Sequence, residues 1–356
     1  MLRNEGLVAS YLDRLEREMA SLAKRFPGPL DTVYLGGGTP SHLEDAELAR
    51  VFDALRRAWG GVGRLETTME ADPLTFDAAR LKFFAELGVT RLSIGLQSTQ
   101  DDVLAFLGRL HDSRQGLEAV RLAVESGLRV NVDVMTAIAG QDLGADLRRV
   151  VALGVRHVSV YSLTIEPHTP FALRGVEVDE ELDADTFTLA AELLGGLGLR
   201  RYEVSNHAVP GEESLHNLGY WRGSHYLGVG PSASSYLPPA AGAQELGSRV
   251  KNPPLKGWLL GAASEVERLT AADVVLERLM TGLRTIEGVD LAALERHTGV
   301  SVERAAERWL RDTTRHRLLL LDQARTLRAT PAGLTRLDAV LRAFVATRSA
   351  LPTATG

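Results

Sequence analysis

Thr32-Val33-Tyr34-Leu35-Gly36-Gly37-Gly38-Thr39-Pro40-Ser41 runs from four strand-forming residues into three glycines and a proline. β-Branched and aromatic residues favour an extended chain, and glycine permits the sharp turn that must follow. Three glycines also let the backbone approach a ligand closely and expose its N–H groups. Ser41 with Glu44 fits a capping box for the next helix, whose N-terminus favours negative charge. The turn either holds a carboxylate, a phosphate or the polar end of a cofactor, or is only a tight strand-to-helix connection.

Downstream the same joint recurs. Strand-type runs at Leu65 to Ala71, Arg91 to Gly95, Val130 to Met135, His157 to Leu163 and Arg201 to Ser205 alternate with helix-period segments. Those segments are Glu44 to Trp59, Phe76 to Leu87, Arg114 to Ser126, Leu143 to Leu153 and Ala184 to Leu194. The alternation predicts βαβ units, a parallel sheet and an α/β barrel or partial barrel, with a doubly wound open sheet as competitor. Upstream, Leu7 to Phe26 carries Leu12, Leu15, Met19 and Leu22 on one helical face. A barrel of βα units begins on a strand; here a helix comes first and the opening strand is absent.

After Ser205 the pattern changes. Residues 206–256 are rich in Gly, Pro, Ser and aromatics without helical period, which predicts a long loop with one or two short strands around Glu245 to Val250. Helices are then expected at Ala271 to Arg284, Leu291 to Thr298 and Val302 to Asp312. Strands follow at Arg317 to Asp322 and Thr326 to Ala329, then a helix from Pro331. This is the pattern of a winged-helix-like α+β domain with a packing role. The expected division is 1–205 for the partial barrel, 206–268 for a loop-rich connection and 269–346 for the C-terminal domain.

Of the 356 residues 45% are hydrophobic and 24% charged, enough apolar side chain to exclude global disorder. A net charge of −6 argues against a broad nucleic-acid surface. No apolar run approaches the roughly 20 residues of a membrane helix. Met1-Leu2-Arg3-Asn4-Glu5-Gly6 shows no secretory signal, so a cytoplasmic protein is expected. The Cys count is zero, which excludes disulfides, thiolate nucleophiles and Cys-held metal clusters in this chain.

Glu70, Gln97 and Asp133 fall on or just after strand runs, and Arg109 follows Gln97 by twelve residues. In a parallel barrel, polar residues at C-terminal strand ends point into one mouth; taken singly, each also fits a solvated rim. His216-Asn217-Leu218-Gly219-Tyr220-Trp221 joins a His to two aromatics in the loop-rich segment. Such a His can ligate a metal or haem iron while Tyr220 and Trp221 stack on a flat ligand; a loop packed on its own aromatics explains the same residues. His42, His111 and His168 show no ligand spacing.

In order, these segments resemble the radical SAM haem chaperone family, the coproporphyrinogen III oxidase-like proteins called HemW. The carrying stretches are Tyr34 to Ser41, Met69-Glu70-Ala71-Asp72-Pro73 and Arg91-Leu92-Ser93-Ile94-Gly95-Leu96-Gln97-Ser98. Leu107 to His111, Leu163 to Pro167, Tyr202-Glu203-Val204-Ser205-Asn206, Pro210-Gly211 and His216 to Trp221 complete them. The resemblance implies a partial (β/α)6 TIM-like barrel binding S-adenosylmethionine beside a [4Fe–4S] cluster. It implies that Gly37, Gly38 and Thr39 hold the methionine end and Glu70 the ribose side. Gln97, Arg109 and Asp133 match further residues used for S-adenosylmethionine, and His216 matches the His of the haem-associated motif. The implied function is inserting or carrying haem in porphyrin metabolism. The implied partners are haem and a haem-acceptor protein, membrane-associated acceptors and a homodimer included, with no nucleic acid.

Two departures set limits. The family opens with a strand and a C-x3-C-x2-C loop, and this sequence carries neither, as an N-terminally truncated member would. A cluster of that kind needs thiolates, so radical chemistry is not expected of the chain as written. The family's Tyr-Gly-Leu-Pro-Gly-Gln reads Thr136-Ala137-Ile138-Ala139-Gly140-Gln141 here, and its Gly-x-Gly-Ala-Gly-Ala-His-Ser becomes Gly228 to Ser235 without the His. A cluster-free module that binds S-adenosylmethionine or haem without redox chemistry is the alternative.

Overall fold

The computed structural model describes residues 5–347; Met1 to Asn4, part of the stretch read for a secretory signal, and residues 348–356 lie outside them. Two compact units emerge. One comprises Pro29–Phe52 and Gly61–His216; the other comprises Met1–Gly28, Asp53–Gly60 and Asn217–Gly356.

In the first unit β1 (Thr32–Leu35), β2 (Glu66–Ala71), β3 (Arg91–Gln97), β4 (Arg129–Thr136) and β5 (His157–Ser162) lie parallel in chain order. β6 (Arg200–Arg201) and β7 (Asn206–Ala208) extend the sheet in the order β5-β7-β6, with β7 antiparallel to both of its neighbours. Among the helices that follow strands are those at Asp45–Trp59, Ala78–Leu87, Ser113–Glu125, Leu143–Ala152 and Glu180–Gly196. Their starts are written locally: Asp77, Asp112, Asp142 and Asp179 each accept a backbone N–H of the first turn.

Alternation along each strand sorts the side chains by face. Met69, Leu92, Ile94, Leu96, Val132, Val134 and Val158 point to the helices and share one core with Phe52, Leu81, Phe84, Val120, Leu147 and Leu194. Fully burying such a side chain contributes about 1.5–3 kcal/mol. The opposite face carries Tyr34, Glu70, Ser93, Asn131, Asp133, Ser159 and Tyr161, a polar interior. The open sheet with one polar face is a partial barrel.

Three expectations need correction here. The sixth run, Arg201 to Ser205, is strand only at Arg200–Arg201: Tyr202 N–H donates to the Asn206 carbonyl, the Glu203 carboxylate takes the N–H groups of Ser205 and Asn206, and the chain reverses into β7. Ser41 is no helix cap. It is fully buried in a 3-10 turn, Pro40–His42, and its hydroxyl accepts Asp72 N–H and the Thr75 hydroxyl. Residues 206–256 carry more structure than the expected loop. They hold a helix, Leu215–Trp221, and β8 (Ser234–Leu237) and β9 (Ser248–Lys251), which with β10 (Glu265–Arg268) form an antiparallel sheet. Of these, β9 is the short strand expected around Glu245 to Val250.

In the second unit, the Glu18 carboxylate of the first helix, Glu5–Arg25, receives Gly230 N–H, Asn252 Nδ2 and Trp258 Nε1. The C-terminal part has helices at Ala271–Gly282 and Leu291–Thr298 and a three-stranded ribbon, β11 (Val289–Asp290), β12 (Leu319–Leu321) and β13 (Thr326–Ala329). The expected helix Val302 to Asp312 breaks at Ala306 into Val302–Ala305 and Glu307–Arg315. Pro331–Leu334 and Leu337–Val345 close the described chain. No described helix is long and apolar enough to cross a membrane.

Candidate functional site

The mouth of the partial barrel lies at the C-terminal ends of β1 to β4. Beyond β1, Gly37 takes φ +81, and a side chain built at Gly37 or Gly38 meets nothing within 4 Å, so the turn faces open space. Gly36 is different. A Cβ there would lie 2.5 Å from Tyr34 and 2.7 Å from Glu70, so only glycine lets Glu70 close on the turn. The Glu70 carboxylate accepts the Tyr34 hydroxyl at 2.8 Å and the Gly37 N–H, while burial pushes its pKa up.

Asp133 accepts Ser93 Oγ at 3.2 Å and Asn131 Nδ2 at 2.9 Å, and burial raises it to about 6. Gln97 ends β3 at φ +71, a left-handed conformation that costs a non-glycine residue about 1–2 kcal/mol. Arg109 donates to Asp72 at 2.9 Å and to the Gly95 carbonyl at 3.2 Å. Gly37, Gly38, Thr39, Glu70, Gln97, Arg109 and Asp133 thus gather around one end of one sheet. Asp146, which sequence reasoning missed, is fully buried beneath that rim. It holds Ser98 Oγ, Thr99 N–H and hydroxyl, and Gln141 Nε2 at 2.6–2.9 Å, tying the turns after β3 and β4 together.

At the opposite end, Glu66 and Arg91 form an ion pair at 2.9 Å that is almost wholly out of water. Glu66 also accepts Ser214 Oγ, Leu215 N–H and His216 N–H at 3.1–3.3 Å, capping the start of helix Leu215–Trp221. His216 is thereby carried by the barrel. Its Nδ1 lies 2.8 Å from Thr32 Oγ1 and its ring stacks on Tyr34 at 5.2 Å and 23°. Burial lowers its pKa, which favours the neutral imidazole. Tyr34 therefore touches His216 with its ring and Glu70 with its hydroxyl. Its strand signal was legible; its double contact was not. Tyr220 and Trp221 belong to the other unit. There Tyr220 stands edge-on to Tyr226 at 4.5 Å, and the Trp221 carbonyl accepts from Arg278 at 2.8 Å.

The open glycine turn beside a held carboxylate fits the polar end of S-adenosylmethionine. An oriented neutral imidazole fits an iron ligand. A [4Fe–4S] cluster does not fit this chain, which offers no thiolate. Among the described residues no group of three or more His, Cys, Asp or Glu could hold a metal ion.

The radical SAM superfamily model matches residues 7–153 and the HemN C-terminal domain model matches 269–335. Heme chaperone HemW of Haemophilus influenzae is 34% identical over 302 residues, covering 82% of this chain and 78% of the relative. Heme chaperone HemW of Escherichia coli is 33% identical over 303 residues, covering 83% and 79%. Among solved structures, coproporphyrinogen III oxidase (HemN) from Escherichia coli, a radical SAM enzyme, shares the fold. It has a TM-score of 0.80 at 21% identity over 96% of this chain and 84% of that one. With matching domains at both ends and a relative of this identity spanning most of its length, the chain belongs to the HemW family of radical SAM proteins.

Proposed function

We propose that the chain is a haem-binding chaperone that inserts or carries haem in porphyrin metabolism, with S-adenosylmethionine held at the barrel mouth. The observation that carries this is the continuous contact from Thr32 through His216 and Tyr34 to Glu70 and Gly37. His216 is the iron ligand, oriented by Thr32. Gly37, Gly38 and Thr39 hold the methionine end of S-adenosylmethionine, Glu70 its ribose side, and Gln97, Arg109 and Asp133 the rest. In the family a [4Fe–4S] cluster supplies the electron that cleaves S-adenosylmethionine; no thiolate here can hold one, and no radical step is derived. The lack of Cys favours a second reading, a module that binds haem or S-adenosylmethionine without redox chemistry. Residues 1–205 then carry the barrel, 206–268 the haem segment, and 269–346 the winged-helix-like domain. The partner is a haem-acceptor protein, membrane-associated ones included; homodimerisation and a cytoplasmic location complete the proposal.

Haemin titration followed at the Soret band tests it. Thr32→Val is expected to weaken binding about tenfold, the effect of losing a ligand-orienting hydrogen bond. Parent-like affinity in both Thr32→Val and His216→Ala would count against haem ligation at this position.

A further inference from the structure

The turn that follows β1 brings little of its own to fix its shape. Gly36, Gly37 and Gly38 carry no side chain, and Thr39 makes no side-chain cap on the 3-10 turn after them. Glycine has more backbone freedom to lose than any other residue, so such a turn needs anchors from elsewhere. At the mouth itself the Gly37 N–H rests on Glu70. A stronger anchor enters from outside the mouth. Arg80, in the first turn of helix Ala78–Leu87, donates through Nη1 to the Ser41 carbonyl at 2.9 Å and to the Thr75 carbonyl at 2.6 Å. Its Nη2 donates to the Leu43 carbonyl at 2.8 Å and its Nε to the Asp45 carboxylate at 3.1 Å. The guanidinium also lies over the Phe84 ring, 5.2 Å from its centre.

The carbonyls it gathers belong to two different turns. Ser41 and Leu43 follow the glycine turn after β1, and Thr75 lies in the turn after β2, beyond Glu70 and Asp72. A hydroxyl completes the joint: Thr75 Oγ1 donates to Ser41 Oγ at 2.6 Å and to the Asp72 carbonyl at 2.7 Å. The Asp72 carboxylate in turn holds Arg109. One guanidinium therefore spans the two turns and fixes the separation of Gly37 from Glu70. Lysine cannot replace it, because Arg presents five donors in a rigid planar fork and Lys presents three from a single point. Arg80 is 24% exposed and Asp45 57%, so water reaches the groups that a different side chain would leave open. The fold should therefore survive the loss of the clamp.

We propose that Arg80 is a positioning residue for S-adenosylmethionine: it touches no part of the ligand, and it presets the gap between the glycine turn and Glu70 that the ligand fills. This rests on S-adenosylmethionine occupying the mouth. A turn already held in its bound shape loses no further entropy when the ligand arrives, whereas a loosened turn must be ordered at the expense of affinity. The effect is confined to the mouth. Arg80 bonds Ser41, Leu43, Asp45 and Thr75, while His216 is held at the other end of the sheet by Thr32 and Glu66.

The test titrates the full chain, Arg80→Lys and Asp45→Asn with S-adenosylmethionine, each about 20 °C below its own thermal midpoint so that all are folded. Arg80→Lys is expected to bind about tenfold more weakly than the parent. Asp45→Asn removes an exposed ion pair and keeps the three carbonyl contacts, so it should stay within about twofold. Haemin affinity should stay within about twofold in both variants. Without ligand, amide hydrogen exchange in Arg80→Lys should quicken at residues 36–43 and 72–75 and match the parent elsewhere. An arginine that only stabilises the fold would lower the thermal midpoint and leave the affinity of the folded protein at the parent value. That result overturns the positioning role and leaves binding at the mouth standing. An equal loss of haemin affinity, the sign of a general disturbance, overturns it too. A parent chain that binds no S-adenosylmethionine overturns the mouth assignment and the role of Arg80 together.

Discussion

Replacing Glu66 by Gln isolates the charge on which the barrel floor depends. Gln keeps the shape and one carbonyl acceptor for Ser214 and the N–H groups of Leu215 and His216. What is lost is the negative charge 2.9 Å from Arg91. Arg91 is 1% exposed; one of its terminal nitrogens donates to the carbonyls of Glu212 and Glu213 and the other has no partner. Arg129, 3.9 Å from Glu66, adds a second positive charge. Stranding a buried guanidinium costs about 3–5 kcal/mol. At roughly 2–4 °C per kcal/mol, the thermal midpoint should fall by about 6–20 °C. Adding Arg91→Met removes the stranded charge and should recover about half of that loss or more. The pH sign follows from the direction of the shift. Burial pushes the Glu66 carboxyl up, but Arg91 and the helix N–H groups outweigh it and hold it below the usual value. Its contribution is complete above the unfolded value of about 4.3 and is lost as pH falls through the lower folded one. Parent and Glu66→Gln should therefore converge in acid. Thermal and urea unfolding read all of this. A midpoint change under about 2 °C near pH 7, or a double variant less stable than Glu66→Gln, would refute the reasoning.

Gly36→Ala would drive a methyl group into Tyr34 and Glu70, so titration with S-adenosylmethionine should show binding at least about tenfold weaker. Ala137 stands at φ +61 where the family motif has Gly. Ala137→Gly should relieve the left-handed strain and, after the entropy of glycine in the unfolded chain, raise stability by about 0.5–1 kcal/mol in denaturant titration. Asp146→Asn replaces one of two buried acceptor oxygens with a donor. It should cost about 1–3 kcal/mol and increase proteolytic cleavage in the turns after β3 and β4.

The parallel sheet was legible because each strand and each following helix carries its own period, and the helix starts carry Asp caps. β1 falls at Thr32–Leu35 as the glycines indicate. What stayed hidden is written in contacts between distant segments. Helix Leu215–Trp221 is seven residues long and contains Gly219; its cap is Glu66, 150 residues before His216. The reversal after β6 is made by a Glu203 side chain catching its own backbone, where the residue types alone read as extended. Ser41 and Glu44 have capping-box spacing, but Ser41 is drawn into the core by Thr75 and Asp72. At the candidate site, the strand-end pattern pointed to Glu70, Gln97 and Asp133, which the structure places at one end of the sheet. The double role of Tyr34 and the burial of Glu66 against Arg91 need the register of β1, β2 and β3, which no spacing supplies.

Haem ligation by His216 is the central claim, and the electronic spectrum of the ferric haem complex tests it most directly, because it identifies the axial ligand itself. One equivalent of haemin on the full chain should give optical and electron paramagnetic resonance signatures of a histidine-ligated iron. His216→Ala should abolish those signatures, and His168→Ala, at an exposed position, should leave them unchanged. A histidine-ligated spectrum that persists in His216→Ala would contradict the account.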